Sequence, residues 1–246
     1  MGDYQNSRGF TLVEILFALF VGLLLLAAVS VTMISGQRSS SAIEKKVAAQ
    51  QDVRGALRVM ASEIGMASFN PNFVFGIWRN AGACSNPAVT QANKGLQEAT
   101  PNSLTVEMDI GESGSIGDDN NEIIRYEFIP GPAGQFIQRA VNCGGAEAFL
   151  GADPAGGVSR TVRVINDASA ITNGNSPPEV AVFRYYDVKN PPTELFPHQN
   201  PSDIPNIRRI DITLAVETDE VDPNTHQRRQ MIYSTSVIAR NHALTQ

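Results

Sequence analysis

Cysteine and histidine are scarce in this 246-residue chain. The two cysteines, Cys84 and Cys143, lie far apart with no CxxC spacing, and the three histidines, His198, His226 and His242, are scattered. A metal site needs clustered thiolate or imidazole ligands, so this pattern predicts none. The two thiols read as a single disulfide if the domain is exported, with two unrelated buried thiols as the alternative. Lys and Arg form no basic patch, and the net charge is −6 with a pI near 5.1. Neutralising a phosphate backbone requires the opposite balance, so nucleic acid is not an expected partner. Nucleophile and phosphate-binding signatures are missing as well: Gly114-Ser115-Ile116-Gly117 is not GxSxG, no P-loop or HExxH occurs, and no GxGxxG follows a strand. Nothing in the sequence predicts an enzyme.

Two further absences define the N-terminal part. Proline is missing between Phe10 and Pro71, and charge is missing from the 23 residues between Glu14 and Arg38, which are mostly Leu, Val, Ile, Ala and Phe. A helix over that run spans about 35 Å, enough to cross a bilayer. A secretory signal would start basic, be shorter, and carry a small-residue cleavage site after the apolar run. The leader MGDYQNSRG is short and polar, with Arg8 offset by Asp3, so a retained span is expected. Glu14 stands out at its start, because an ionised carboxylate near the hydrocarbon edge costs on the order of a few kcal/mol and normally demands a partner. No Lys or Arg in the span supplies one. Either the carboxylate has a function that brings a partner, or it reaches water and favours the positive end of the helix dipole. Flanking charge does not orient the span by the positive-inside rule, since Arg8 alone precedes it while Arg38, Lys45 and Lys46 follow.

The run Arg8-Gly9-Phe10-Thr11-Leu12-Val13-Glu14 resembles the class III signal of type IV prepilins and pseudopilins. That resemblance implies a membrane prepilin peptidase that cuts after Gly9 and N-methylates Phe10, leaving the apolar helix on the mature protein. It also implies a partner for Glu14. Cleavage frees a positive α-amino group at Phe10, and in staggered subunits the carboxylate of one chain can neutralise the amine of its neighbour in low dielectric. Orientation follows from the same resemblance: an inner-membrane, single-pass protein with a periplasmic C-terminal domain, incorporated into a pilus or its tip. The segment from Gln50 to Phe69 and the C-terminal run Ser234 to Asn241 further resemble PilW-type minor pilins and the related J-type pseudopilins of type II secretion.

Beyond the span the helical rhythm resumes at Ile43, Val47, Val53, Leu57, Met60 and Ile64, which predicts a stripe packed on the domain core. One helix from Thr11 to about Phe69 is expected, near 90 Å long. Asn70-Pro71 is its stop, and Gly22, Gly36 and Ser39 to Ser41 are its weak points. After Pro71, apolar–polar alternation predicts strands at Ser103–Ile110, Glu122–Ile129, Gln135–Val141, Thr161–Ile165, Glu179–Val188, Ile207–Thr218 and Arg229–Arg240. Pro130–Gly134 and Glu220–His226 read as hairpin connections, and Asn70–Thr100, Ala146–Ser159 and Asn190–Asn206 as long loops. The expected fold is α+β, a long N-terminal membrane-spanning helix whose second half packs on a mainly antiparallel sheet, as in type IV pilins. Its parts are a leader (1–9), a membrane half (10–37) and a soluble half (38–70) of the helix, and a β-rich domain (71–246).

Two loops invite chemistry. The acidic run Asp109 to Glu122 is oxygen-rich, and some pseudopilins bind calcium, but it lacks EF-hand spacing. A solvated hairpin tip is the expected reading, and no cofactor is expected. Trp78, in the run Asn72 to Trp78 with Phe73 and Phe75, is expected to anchor its loop by packing, with an exposed contact surface as the alternative. The resemblance points to a structural minor pilin that helps initiate, assemble or cap a type IV pilus. Its partners would be other minor pilins, the major pilin, the inner-membrane assembly platform and the prepilin peptidase. A minor pseudopilin of type II secretion, or a membrane-tethered adhesin, are the alternatives.

Overall fold

The computed structural model describes residues 9–79, 91–130, 135–151, 160–166, 180–223 and 225–243. Helix α1, Leu12–Gly65, is unbroken over 54 residues, about 80 Å at 1.5 Å per residue. Gly22, Gly36 and Ser39 to Ser41 lie inside it without interrupting it. The stop comes earlier than Asn70-Pro71. The Met66 N–H turns back to the carbonyls of Glu63 and Ile64, tightening the last turn. Ser68 then takes a φ of 63° and donates its N–H to the Glu107 carbonyl at 2.8 Å. A bond to the sheet, not a proline, ends the helix.

Among the described residues ten strands follow: β1 (Leu96–Ala99), β2 (Ser103–Glu107), β3 (Ile123–Ile129), β4 (Phe136–Val141), β5 (Glu147–Leu150), β6 (Val162–Val164), β7 (Phe183–Tyr186), β8 (Glu194–Leu195), β9 (Arg209–Thr218) and β10 (Gln230–Ile238). They form two antiparallel sheets rather than one. The first is a meander, β1-β2-β3-β4-β5, and the second runs β10-β9-β7-β8, with β6 also paired to β9. Strand β6 links the sheets, since the Val164 N–H donates to Gln135 O of the first and the Ile165 N–H to Ala215 O of the second. The α+β class and the antiparallel pairing are as expected. Strands β1, β5 and β8 arise inside segments expected to be loops; two are four residues long and one is two, too short to show a periodicity of two. Of the expected hairpin connections, residues 131–134 lie outside the described residues, while Asp222 and Gln227 close the β9–β10 turn through a 3.0 Å backbone bond.

One core joins the second half of α1 to both sheets. Ala49, Val53, Ala56, Leu57, Met60 and Ile64 are buried against residues such as Leu104, Val106, Ile124, Ile137, Leu214 and Val216. Full burial of each large side chain contributes about 1.5–3 kcal/mol. The stripe departs from its rhythm at the lower end: Ile43 and Val47 are 60% and 43% exposed, whereas Ala42 and Lys46 are half-buried and Lys45 pairs with Glu220, so the domain meets the helix there on a neighbouring face. Gly95 sets the upper end of the docking. A Cβ there would lie 2.3 Å from Glu107 O and 2.4 Å from Ser68 N, so only glycine lets β1 pass this close to the helix terminus.

Candidate functional site

The N-terminal segment is built on a helix cap. Gly9 and Phe10 are exposed, and Thr11 takes extended dihedrals as the N-cap. Thr11 Oγ1 accepts from the Glu14 N–H at 3.3 Å, while Glu14 Oε2 accepts from the Thr11 N–H at 2.9 Å and from its hydroxyl at 3.0 Å. This reciprocal capping box satisfies amides that a helix start leaves unpaired. Glu14 therefore has a local job within its own chain, close to the dipole alternative read from sequence, and its charge lies within one turn of Phe10. Arg8 lies outside the described residues.

From Leu12 the helix contains a window of mean hydropathy 2.8 that is long and apolar enough to cross a membrane, and none of that window is buried in the protein. Two of its polar side chains bond to the helix's own backbone. Ser30 Oγ donates to Leu26 O at 2.8 Å and Thr32 Oγ1 to Ala28 O at 2.9 Å, the i−4 bonding that lets hydroxyls sit in hydrocarbon. Both spacings are legible in the sequence.

Past the span, polar contacts fasten α1 to the sheets. Lys45 pairs with Glu220, and the Thr161 hydroxyl donates to Asp52. Nearer the top, Glu63 receives two bonds from Arg139, Nη2 to Oε1 at 2.7 Å and Nε to Oε2 at 3.2 Å, together with the Tyr126 hydroxyl. Burial, reinforced by that carboxylate, pushes the Tyr126 phenol well above its ordinary range. Sequence reading placed Glu63 merely between the apolar positions of the stripe. Its partners are 63 and 76 residues away, so no local pattern shows them.

A second network closes the end of α1. Gly95 N–H donates to Ser68 Oγ at 3.0 Å, and Ser68 Oγ lies 2.9 Å from His242 Nδ1. His242 Nε2 lies 2.9 Å from the Ile204 carbonyl. Since a carbonyl only accepts, Nε2 carries the proton and Nδ1 accepts from the serine hydroxyl. Burial pushes His242 down to about 4, against the Ile204 bond and aided by the Arg208 and Lys94 cations. Nearby, Glu107 is fully buried and is pushed up to about 8 by burial, only partly offset by the Arg79 N–H and the Gln97 amide. With Ser68 at 1% exposure, the serine–histidine pair fastens four segments together and offers no access to a substrate.

The acidic loop departs from the solvated tip expected of it. Asp109 and Glu122 are fully buried and Ile116 nearly so. Asp109 accepts from the N–H groups of Ser113 and Gly114 at 3.0 and 2.9 Å. Glu122 accepts from Gly117, Asp118 and Asp119 at 2.7–3.2 Å and from Gly111 at 3.3 Å. Both carboxylates thus organise their own loop. Among the described residues no group of three or more His, Cys, Asp and Glu is placed to hold a metal ion. Ile116 packs with Ile77, Ile123 and Trp78 in a small second core, so Trp78 anchors its loop as expected, although Phe73 and Phe75 do not. Cys143 is disulfide-bonded; Cys84 lies outside the described residues.

Residues 4–30 match the family model of the prokaryotic N-terminal methylation motif. The match covers Gly9, Phe10 and Glu14 and the apolar run as far as Ser30, and it indicates a pilin-like or pseudopilin-like protein. No curated protein and no solved structure matches the chain.

Proposed function

We propose that this chain is a structural minor pilin, processed at its N-terminus and built into a type IV pilus through its apolar half-helix. Cleavage follows Gly9, Phe10 becomes the methylated first residue, and Glu14 meets the new amine of a neighbouring subunit. The observation that supports this best is the methylation motif lying directly on a helix start whose apolar side chains are wholly unburied by their own domain. None of the described residues covers this half of the helix, and lipid before assembly and other helices afterwards would do so. The retained domain lies on the periplasmic side and partners are other minor pilins, the major pilin and the assembly platform. In this reading a Cys84–Cys143 disulfide forms after export.

The capping box supplies a sharper test than removal of Glu14. Glu14→Gln keeps an N3 side chain able to cap and discards the charge, whereas Thr11→Ala weakens the cap and keeps the charge. With prepilin peptidase co-expressed, both variants should begin at methylated Phe10 by mass spectrometry. Filament incorporation should collapse for Glu14→Gln and survive in Thr11→Ala. A mature chain beginning elsewhere ends the reading, and equal loss in the two variants reduces Glu14 to a helix cap. Loss of protein export rather than of pili on deletion would move the chain to a secretion machine.

A further inference from the structure

Phe73 and Phe75 are 62% and 84% exposed, in a loop that is fastened at several points. The Asn70 side chain donates to Val74 O at 3.0 Å and accepts from the Val74 N–H at 3.1 Å. Asn72 Nδ2 donates to Glu112 O at 2.8 Å, and the Asp109 N–H donates to Phe69 O at 2.8 Å, so the loop is tied to the 109–122 segment. Phe73 is held at a φ of 51°, a left-handed conformation unfavourable for a bulky residue. Val74 seats against Gly114, where an added Cβ would lie 3.1 Å from Val74 Cγ2. Trp78 meanwhile is buried with Ile116. The segment hides one aromatic residue and turns two to water from an ordered backbone, which is how an interaction surface is built.

The surroundings narrow the partner. Ile110, 45% exposed, adds apolar area on the adjoining segment, whose exposed carboxylates are Glu112, Asp118 and Asp119; Arg79 is the cation that acts on Asp118. The side chains suited to sugar hydroxyls, Asn70, Asn72, Asp109 and Glu122, are engaged with backbone groups of the two loops. Anionic lipid would be repelled, and the loop follows the far end of α1, about 80 Å of helix from Thr11. Aromatic anchors bordered mainly by carboxylates, with Arg79 already engaged by the Ile116 carbonyl and Asp118, are the form of a protein–protein contact steered by positive charge. We infer that the 73–75 loop docks a different protein subunit, one presenting an apolar pocket bordered by Lys or Arg and lying beyond the end of α1 remote from Phe10. This surface does not depend on processing at Gly9.

The test uses the full chain in its own cell envelope, with p-benzoylphenylalanine replacing Phe75 as a photo-crosslinker and, as control, replacing the exposed Val59. The position-75 probe should give an adduct with another protein whose cross-linked peptide is apolar and flanked by Lys or Arg, absent with the position-59 probe. Its yield should fall at least about five-fold with Phe73→Ser and again with the double change Glu112→Lys and Asp118→Lys. These side chains are exposed, so the melting temperature should be unchanged in each variant. Adducts only to lipid, to polysaccharide or to another copy of this chain overturn the inference, as does a yield indifferent to both sets of changes. The mature N-terminus is read from the same samples, so a processing failure and a docking failure are told apart.

Discussion

From Leu12 to Ser40, α1 has no buried side chain, whereas from Ala49 to Ile64 it places six residues in the core. The backbone is the same in both halves, one continuous helix with its hydrogen bonds made internally. What differs is where the apolar surface goes. The first half is apolar on all sides and has no partner among the described residues. The second has apolar residues on one stripe and a sheet waiting for them. Helix formation and helix burial are therefore separate matters here, and only the second half can be read through the stability of the domain.

Three measurements would break or sharpen that contrast. The largest effect is expected for Ile64→Ala, which should cost about 2–5 kcal/mol in urea unfolding of the full chain in detergent, as for other large-to-small core changes. Leu24→Ala should leave the transition within about 0.5 kcal/mol, since Leu24 packs on nothing in the fold. Equal losses would refute the separation of the halves.

Next comes acid. His242 is held at about 4 against an ordinary 6.5, so the neutral ring is the folded form. Its contribution is complete above pH 6.5, fades as pH falls from 6.5 towards 4, and is gone below that; the full amount is about 3 kcal/mol. Urea unfolding followed by circular dichroism at each pH measures it, with the apolar half remaining helical throughout. Glu107, held up at about 8, takes up a proton on folding over much of the same range and opposes this slope. The readout is therefore the stability difference between the unmodified chain and His242→Gln, which should change by about 3 kcal/mol between pH 6.5 and 4. A difference constant across that window would refute the assignment.

The smallest effect is expected at the Glu63 clamp. Arg139→Met strips a carboxylate that is 21% exposed of its bidentate partner and should cost about 1–3 kcal/mol. Adding Glu63→Gln should recover part of the loss. If the second change recovers nothing, Arg139 acts through its packing rather than its charge.

Legibility in the sequence followed the range of the interaction. The methylation motif, the apolar run and the long strands β3, β9 and β10 all rest on residues within a few positions of one another. The end of α1 did not, because it is set by Ser68 reaching Glu107 across the fold. The exposure of Ile43 and Val47 was equally hidden, since apolar spacing does not show which face of the helix the domain covers at that level. In the acidic loop the residue types were visible and their use was not: Asp109 and Glu122 turn inward because backbone amides converge on them, while Glu112, Asp118 and Asp119 face water.

The sequence by itself determined that this chain carries an N-terminal methylation motif on a membrane-length helix, followed by an antiparallel β domain, because local spacing and hydropathy act through neighbours along the chain. Only the tertiary structure decided where the helix stops, which of three aromatic residues in one loop is buried, and that Ser68, Gly95, Ile204 and His242 share one network. Those outcomes depend on groups up to 174 residues apart meeting in space, where burial and hydrogen-bond satisfaction set the energy.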